Sequence, residues 1–333
     1  MKYMLYAGLA FAASLSTQSL ASEPLAAISA KKADKTLLTD IEYTTKQLVA
    51  VGKHGTIITS SDAKEWQQAS VPTQVLLTAV TFNGSERGWA CGHDATIINT
   101  TDGGANWQLQ HVNTQLDKPC LDILFTTEQH GFAVGAYGMF YETVDGGSNW
   151  QKRFLDSLLF AEDQEYLNDL KASDPEAYEA ETASILPHFN RIVANGNKLM
   201  LVGEMGLLAH STDNGKTWQR DEEIYMGSFF AYASDERGNE IVAGLRGTIF
   251  SRQQHGQWQQ INNNKTATVN SIIKAGANNW LLLANSGVIF HYQNNQLTVE
   301  QLADGKAILD AIIFDNQLVM ATENGIKVKG MAK

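Results

Sequence analysis

The sequence has 333 residues, two cysteines and a net charge of −11, with 25 Lys and Arg against 36 Asp and Glu. That balance excludes a nucleic-acid surface and attraction to anionic lipid, and the cysteine count excludes a disulfide scaffold or a four-thiolate zinc site. The eight histidines have no tight ligand spacing, so no metal and no cofactor is expected.

Met1 to Ala21 has a Lys near the terminus, an apolar run from Tyr3 to about Leu15, and small residues at Ser19 and Ala21. This reads as an export leader over residues 1–21, followed by one domain over 22–333. Ser14, Ser16, Thr17, Gln18 and Ser19 break the run short of the roughly 20 apolar residues that a membrane span needs. Export, to the periplasm in a Gram-negative source, is therefore expected, with no direct membrane insertion.

From Leu37 onward a two-part unit repeats. The first part is Gly-x-x-Gly followed by β-rich residues, at Gly52 to Ile58, Gly135 to Phe140, Gly203 to Leu208 and Gly244 to Phe250, with a variant at Gly92 to Ile98. The second is the octet Ser-x-Asp-x-Gly-x-Thr-Trp, the Asp-box, cleanest at Ser211 to Trp218 and conservatively changed at Thr100 to Trp107 and Thr143 to Trp150. Decayed copies end at Trp66, Trp258 and Leu297. Its aspartates (Asp102, Asp145, Asp213) are suited to accept backbone N–H groups in a tight turn, and its tryptophans (Trp107, Trp150, Trp218) to pin that turn to a sheet.

Each unit reads as four short antiparallel strands, A to D, with Gly-x-x-Gly joining B to C and the Asp-box joining C to D. Trp66 to Trp107 is 41 residues, Trp107 to Trp150 is 43 and Trp218 to Trp258 is 40, the period of a propeller blade. Strand A starts near Leu37, Leu76, Cys120, Phe189, Phe229, Val269 and Ala307 predict an all-β, seven-bladed propeller of four-stranded blades. The last blade lacks its own strand D, and Leu25 to Ser29 is expected to supply it.

Trp150 to Trp218 is 68 residues, so about residues 151–187 hold an insert between blades 3 and 4. Leu155, Leu158, Leu159, Tyr166 and Leu170 have helical spacing, and Asp174-Pro175 starts a second helix. The insert is acidic, with carboxylates at 156, 162, 163, 165, 169, 174, 176, 179 and 181 against bases at 152, 153 and 171.

These tandem Gly-x-x-Gly-Thr-Ile and Asp-Gly-Gly-x-x-Trp units behind a leader resemble the photosystem II stability and assembly factor family. The acidic insert and the decayed octets depart from that family's pattern. The resemblance implies a lumenal seven-bladed propeller that acts as an assembly chaperone without catalysis. The repeats are also similar to the BNR repeats of sialidases, which makes a glycan-binding or glycoside-hydrolase protein the alternative. Only seven arginines are present and the usual sialidase start is missing, so no catalytic residue is assigned.

Three residue sets follow. Gly-x-x-Gly turns share a face with the insert and present His54, His93, Asp94, Tyr137, Met205 and Arg246 as a rim for a protein partner of a monomeric propeller. Aligned strands A place Asp40, Asp122, Arg191 and Asp310 around the channel, as a network tying blades together or as a ligand site. Cys91 and Cys120 fall near one face of adjacent blades, where a disulfide and two buried thiols are both open.

Overall fold

The computed structural model describes residues 25–254 and 256–331. The expected leader lies outside them. Seven antiparallel sheets form seven blades, six with four strands and the last with three, each in simple sequential order. Their strands A are Leu38–Tyr43, Leu77–Asn83, Cys120–Phe125, Phe189–Asn195, Phe229–Ser234, Val269–Gly276 and Ile308–Phe314. They pack side by side around the axis, and the seventh closes on the first.

Blade 7 corrects one expectation. Leu25 to Ser29 does not complete it: the Ala27 N–H bonds to Val71 O at 2.9 Å and Gln74 Nε2 donates to Ala26 O at 2.7 Å. That segment finds its backbone partners along the connection between blades 1 and 2. The outer strand of blade 7, Gly325–Gly330, carries Lys327 and Lys329, paired with Asp304 and Glu300. Charged lysines on an exposed edge discourage further strand pairing.

Seven hydrophobic clusters sit one at each blade boundary. At the boundary of blades 2 and 3 Trp89 stacks on Phe125 at 3.5 Å between centroids, and Cys91 and Cys120 form a disulfide with Cα atoms 5.8 Å apart.

Polar fasteners add direction to these apolar contacts. In every blade strand A carries a bulge near its start, and in all but blade 5 a polar side chain there bonds the next blade. Thr39, Thr78, Asn190 and Asn270 donate from their side chains to the carbonyls of Leu77, Cys120, Phe229 and Ile308, at 2.7 to 2.8 Å. Asp40 accepts the Val80 N–H at 2.7 Å, Asp122 the Ile192 N–H at 2.8 Å, and Asp310 the Ile41 N–H at 3.3 Å. The last of these bonds the final blade to the first. All three carboxyls are less than 10 % exposed, and Arg191 Nη1 lies 3.6 Å from Asp122.

Desolvation pushes Asp122 up to about 6 against the pull of Arg191. Burial, then the charge of Asp40 and a hydrogen bond to it, raise Asp310 well above the usual carboxylate range. Half-buried Glu42, two residues beyond Asp40 on the same strand, is raised by desolvation and by Asp40.

The Asp-box turns fold as local chemistry requires. The Asp213 carboxylate accepts the Thr217 N–H at 2.9 Å and its hydroxyl at 2.7 Å, the Gly215 N–H bonds to Ser211 Oγ, and the Trp218 indole donates to Gly215 O. The two Thr217 bonds, with the Ser211 hydroxyl that donates to Asp213 at 2.8 Å, hold the Asp213 carboxyl at about 2. Asp102 and Asp145 repeat the pattern with Asn106 and Asn149. Trp107 is bonded as Trp218 is, whereas the Trp150 indole N–H finds no partner.

The insert holds α1, Ala161–Ser173, and α2, Pro175–Thr182, with the Asp174 side chain capping the second through the Ala177 N–H. Its apolar stripe differs from the helical reading. Leu155 and Leu158 precede α1 and are buried in the cluster between blades 3 and 4, whereas Tyr166 on α1 is exposed and Leu167 is buried instead. The spacing was misleading because the chain must first turn down into the blade boundary before it is free to coil.

Two outcomes follow. The disulfide closes a loop of 29 residues, so the double change Cys91→Ser, Cys120→Ser is expected to lower unfolding free energy by about 3 to 4 kcal/mol, measured by denaturant titration. An Asp122 that binds its proton more tightly when folded stabilises fully below its unfolded pKa of about 3.9, and that stability is lost as pH rises toward about 6. Asp122→Asn is therefore expected to flatten the dependence of melting temperature on pH between about 4 and 6; an unchanged slope would assign the titration elsewhere.

Candidate partner-binding face

The Gly-x-x-Gly segment does not form the simple hairpin that its glycines suggest. It is a single 3-10 turn between strands B and C, and its two glycines have different reasons. A Cβ on Gly52 would lie 2.2 Å from Leu37 O and one on Gly203 2.1 Å from His188 O, so the first glycine lets strand B approach the bulge of strand A. The second, at φ near +67° in Gly55, Gly138 and Gly206, presses on the connection to the following blade. Its N–H bonds there, from Gly55 to Val75 O, Gly138 to Pro187 O and Gly206 to Gly227 O, at 2.7 to 2.9 Å.

Between the glycines, one side chain per turn is held in the left-handed region: His54, Asp94, Tyr137, Met205, Arg246 and Ser286, with φ between 53° and 59°. Each such residue costs on the order of 1 kcal/mol, and the bonds on either side hold it in place. The result is a ring of fixed, outward-pointing tips on the face from which the insert emerges. Of the expected rim, His54, His93, Tyr137, Met205 and Arg246 are exposed and Asp94 is partly so.

The rim does not converge on one site. Tyr137 packs edge-on against His188 with centroids 4.5 Å apart, and His188 Nδ1 lies 3.4 Å from Glu204, the neighbour of Met205. Met205 O accepts from Arg220 at 3.2 Å; the same guanidinium bonds Leu158 O and stacks 4.0 Å over Phe160, just before α1. Lys118 reaches from below to Ala183 O and lies 5.6 Å from the Tyr137 ring. The tips of blades 3 and 4 and the insert thus form one surface, and exposed Tyr166, Met226 and Leu245 extend its apolar area. His54 instead borders a separate cavity of about 210 Å³ with Ile28, Ala33 and Gln74. Nothing ties His54 or His93 to the insert among the described residues.

His188, Arg220, Phe160 and Met226 were not singled out from sequence; His188 alone carried a signal, as the residue after Pro187 at the end of the insert.

Two other locations have polar chemistry. Arg191, Ser271, Lys274 and Tyr232 line an axial cavity of about 290 Å³. The Asp40, Asp122 and Asp310 oxygens near it already accept backbone N–H groups, and the described residues contain no cluster of three or more His, Cys, Asp or Glu suited to a metal. Tyr232 donates to Glu240, which also pairs with Arg252 and Lys198. This has the composition of a tyrosine nucleophile with its base, but burial and Glu240 raise the phenol, the reverse of activation.

Comparison with known proteins follows the repeats. A family model described as "Photosynthesis system II assembly factor YCF48" matches residues 58–119 and 108–188. The "Photosystem II assembly lipoprotein Ycf48" of Trichormus variabilis is 29% identical over 236 residues, 70% of this chain and 62% of its own length. The "Photosystem II assembly protein Ycf48" of a Synechococcus strain is 41% identical over 49 residues, 14% of this chain and 15% of that protein. The chain thus spans less than two thirds of these relatives. The solved structure titled "YCF48 bound to D1 peptide" superposes with a TM-score of 0.67 at 16% identity, covering 94% of this chain and 100% of that one. The chain is a seven-bladed propeller of Asp-box repeats that is similar to photosystem II assembly factors.

Proposed function

We propose that this chain is an exported, non-enzymatic, monomeric propeller that holds a polypeptide segment of an envelope or membrane complex during its assembly or operation. The observation that carries the reading is the rigid ring of left-handed turn tips, whose exposed apolar members Tyr137 and Met205 stand beside the insert. An exposed aromatic side chain on a fixed frame loses little entropy on binding, and a neighbouring methionine adapts its shape to the partner, which suits the pair to anchor one. The structural relative whose title names a bound peptide supports the same mode of action. Export is supported by the leader-like start, by the disulfide, which belongs to oxidising compartments, and by a relative named as a lipoprotein.

A photo-crosslinking residue at Met205 is expected to give a discrete adduct with a membrane protein in cells, whereas one at Val144, in an Asp-box turn on the opposite face, is expected to give none. Adducts from Val144 alone would move the binding face. The double change Tyr137→Ala, Met205→Ala is expected to weaken capture of the crosslinked partner roughly tenfold or more while leaving the melting temperature unchanged.

A further inference from the structure

The surface shared by the insert and the tips of blades 3 and 4 has a charge pattern that selects its occupant. None of the insert carboxylates (Asp156, Glu162, Asp163, Glu165, Asp169, Asp174, Glu176, Glu179, Glu181) belongs to an ion pair among the described residues. Glu222 and Glu223, in the connection after blade 4, are likewise unpaired. Elsewhere in the molecule the acidic groups of the blades are regularly matched, as in Glu240 with Arg252 and Lys198, or Glu300 with Lys329.

The local cations offset this field only in part: Arg220 feels the charges of Glu223 and Asp163, and exposed Lys152 stands near Lys118. Lys118 is buried and bonded to Ala183 O, Arg153 is paired with Glu142, Arg220 is fixed between Leu158 O, Met205 O and the Phe160 ring, and Lys171 sits over Tyr178. Arg246 is the exposed cation at the far edge, on blade 5. Unpaired negative charge on one wall repels itself and lowers stability unless something positive covers it. Beside that wall stand Tyr137, Met205 and Met226, exposed by 47%, 47% and 64%. Tyrosine and methionine faces also receive cationic side chains and the alkyl stems of lysine and arginine.

Resting on the peptide-holding reading above, we propose that the occupant is an extended partner segment in which Lys or Arg alternates with apolar residues. Its cations face α1 and α2, and its apolar side chains lie on Tyr137, Met205 and Met226. Charge complementarity of this kind governs encounter rate and partner choice, while the apolar anchors set dwell time.

The test is fluorescence anisotropy with short synthetic peptides of one design: lysine alternating with leucine, the same with glutamine for lysine, with glutamate for lysine, and with glycine for leucine. The lysine–leucine peptide is expected to bind the full-length mature protein at least tenfold more tightly than the other three, and to weaken at least tenfold between roughly 50 and 500 mM salt. The quadruple variant Glu162→Gln, Glu165→Gln, Asp169→Asn, Glu179→Gln, changed only at exposed helix positions, is expected to lose that preference with an unchanged melting temperature. Equal binding of the lysine–glycine peptide would reduce the effect to non-specific attraction and overturn the proposal. If the quadruple variant kept full affinity while Tyr137→Ala, Met205→Ala lost it, the charge inference would fall and the peptide-holding face would stand. If neither variant affected binding, the face itself would be wrong.

Discussion

The ring depends on the seam between adjacent strands A. Stacked apolar clusters bring blades together but leave freedom to slide, and a propeller has no covalent closure to stop it. In six of the seven blades the bulge at the start of strand A places a short polar side chain against the backbone of the next blade; in blade 5 Phe230 and Ala231 stand there instead. Asp310 to Ile41 is the critical instance, because it joins the two ends of the described chain and is made by a carboxyl whose burial raises it well above the usual range. A buried carboxyl costs free energy unless it is hydrogen-bonded, and the Ile41 N–H and the Ser271 hydroxyl both donate to Asp310.

From that rigid ring follows the character of the faces. On one, Asp-box turns are knitted internally by carboxylate and indole bonds and have little side-chain capacity to spare. On the other, the turn between strands B and C is pinned at both ends to backbone, so its strained central residue is the one left free to vary. Histidine, aspartate, tyrosine, methionine, arginine and serine occupy equivalent tips without changing the turn. A scaffold that separates conformation from identity in this way can acquire a binding surface in one sector, as proposed for blades 3 and 4, while His54 and His93 remain apart.

Much of the fold was legible because its signals are local. The Asp-box octet and the Gly-x-x-Gly pair each satisfy their own hydrogen bonds within a few residues, and their period gives the blade count. Aligning strands A also located Asp40, Asp122, Arg191 and Asp310 in the channel, though Glu42 escaped notice despite standing two residues from Asp40. What failed depended on distant partners. Leu155 and Leu158 looked helical until the blade boundary claimed them, and Leu25 to Ser29 looked like a strand until the Val71 carbonyl proved the nearer acceptor. The assembly of Tyr137, His188, Glu204, Arg220 and Phe160 joins residues up to about two blade periods apart, and no local pattern announces it.

The central claim is that a polypeptide is held on the face of the B-to-C turns beside the insert. Hydrogen–deuterium exchange on the complex with its captured partner tests it most directly. The account expects new protection at Ala136 to Gly138, at Glu204 to Gly206 and along α1, with the Asp-box turns unchanged. Protection confined to the Asp-box turns or to the channel mouth around Arg191 and Lys274 would contradict it.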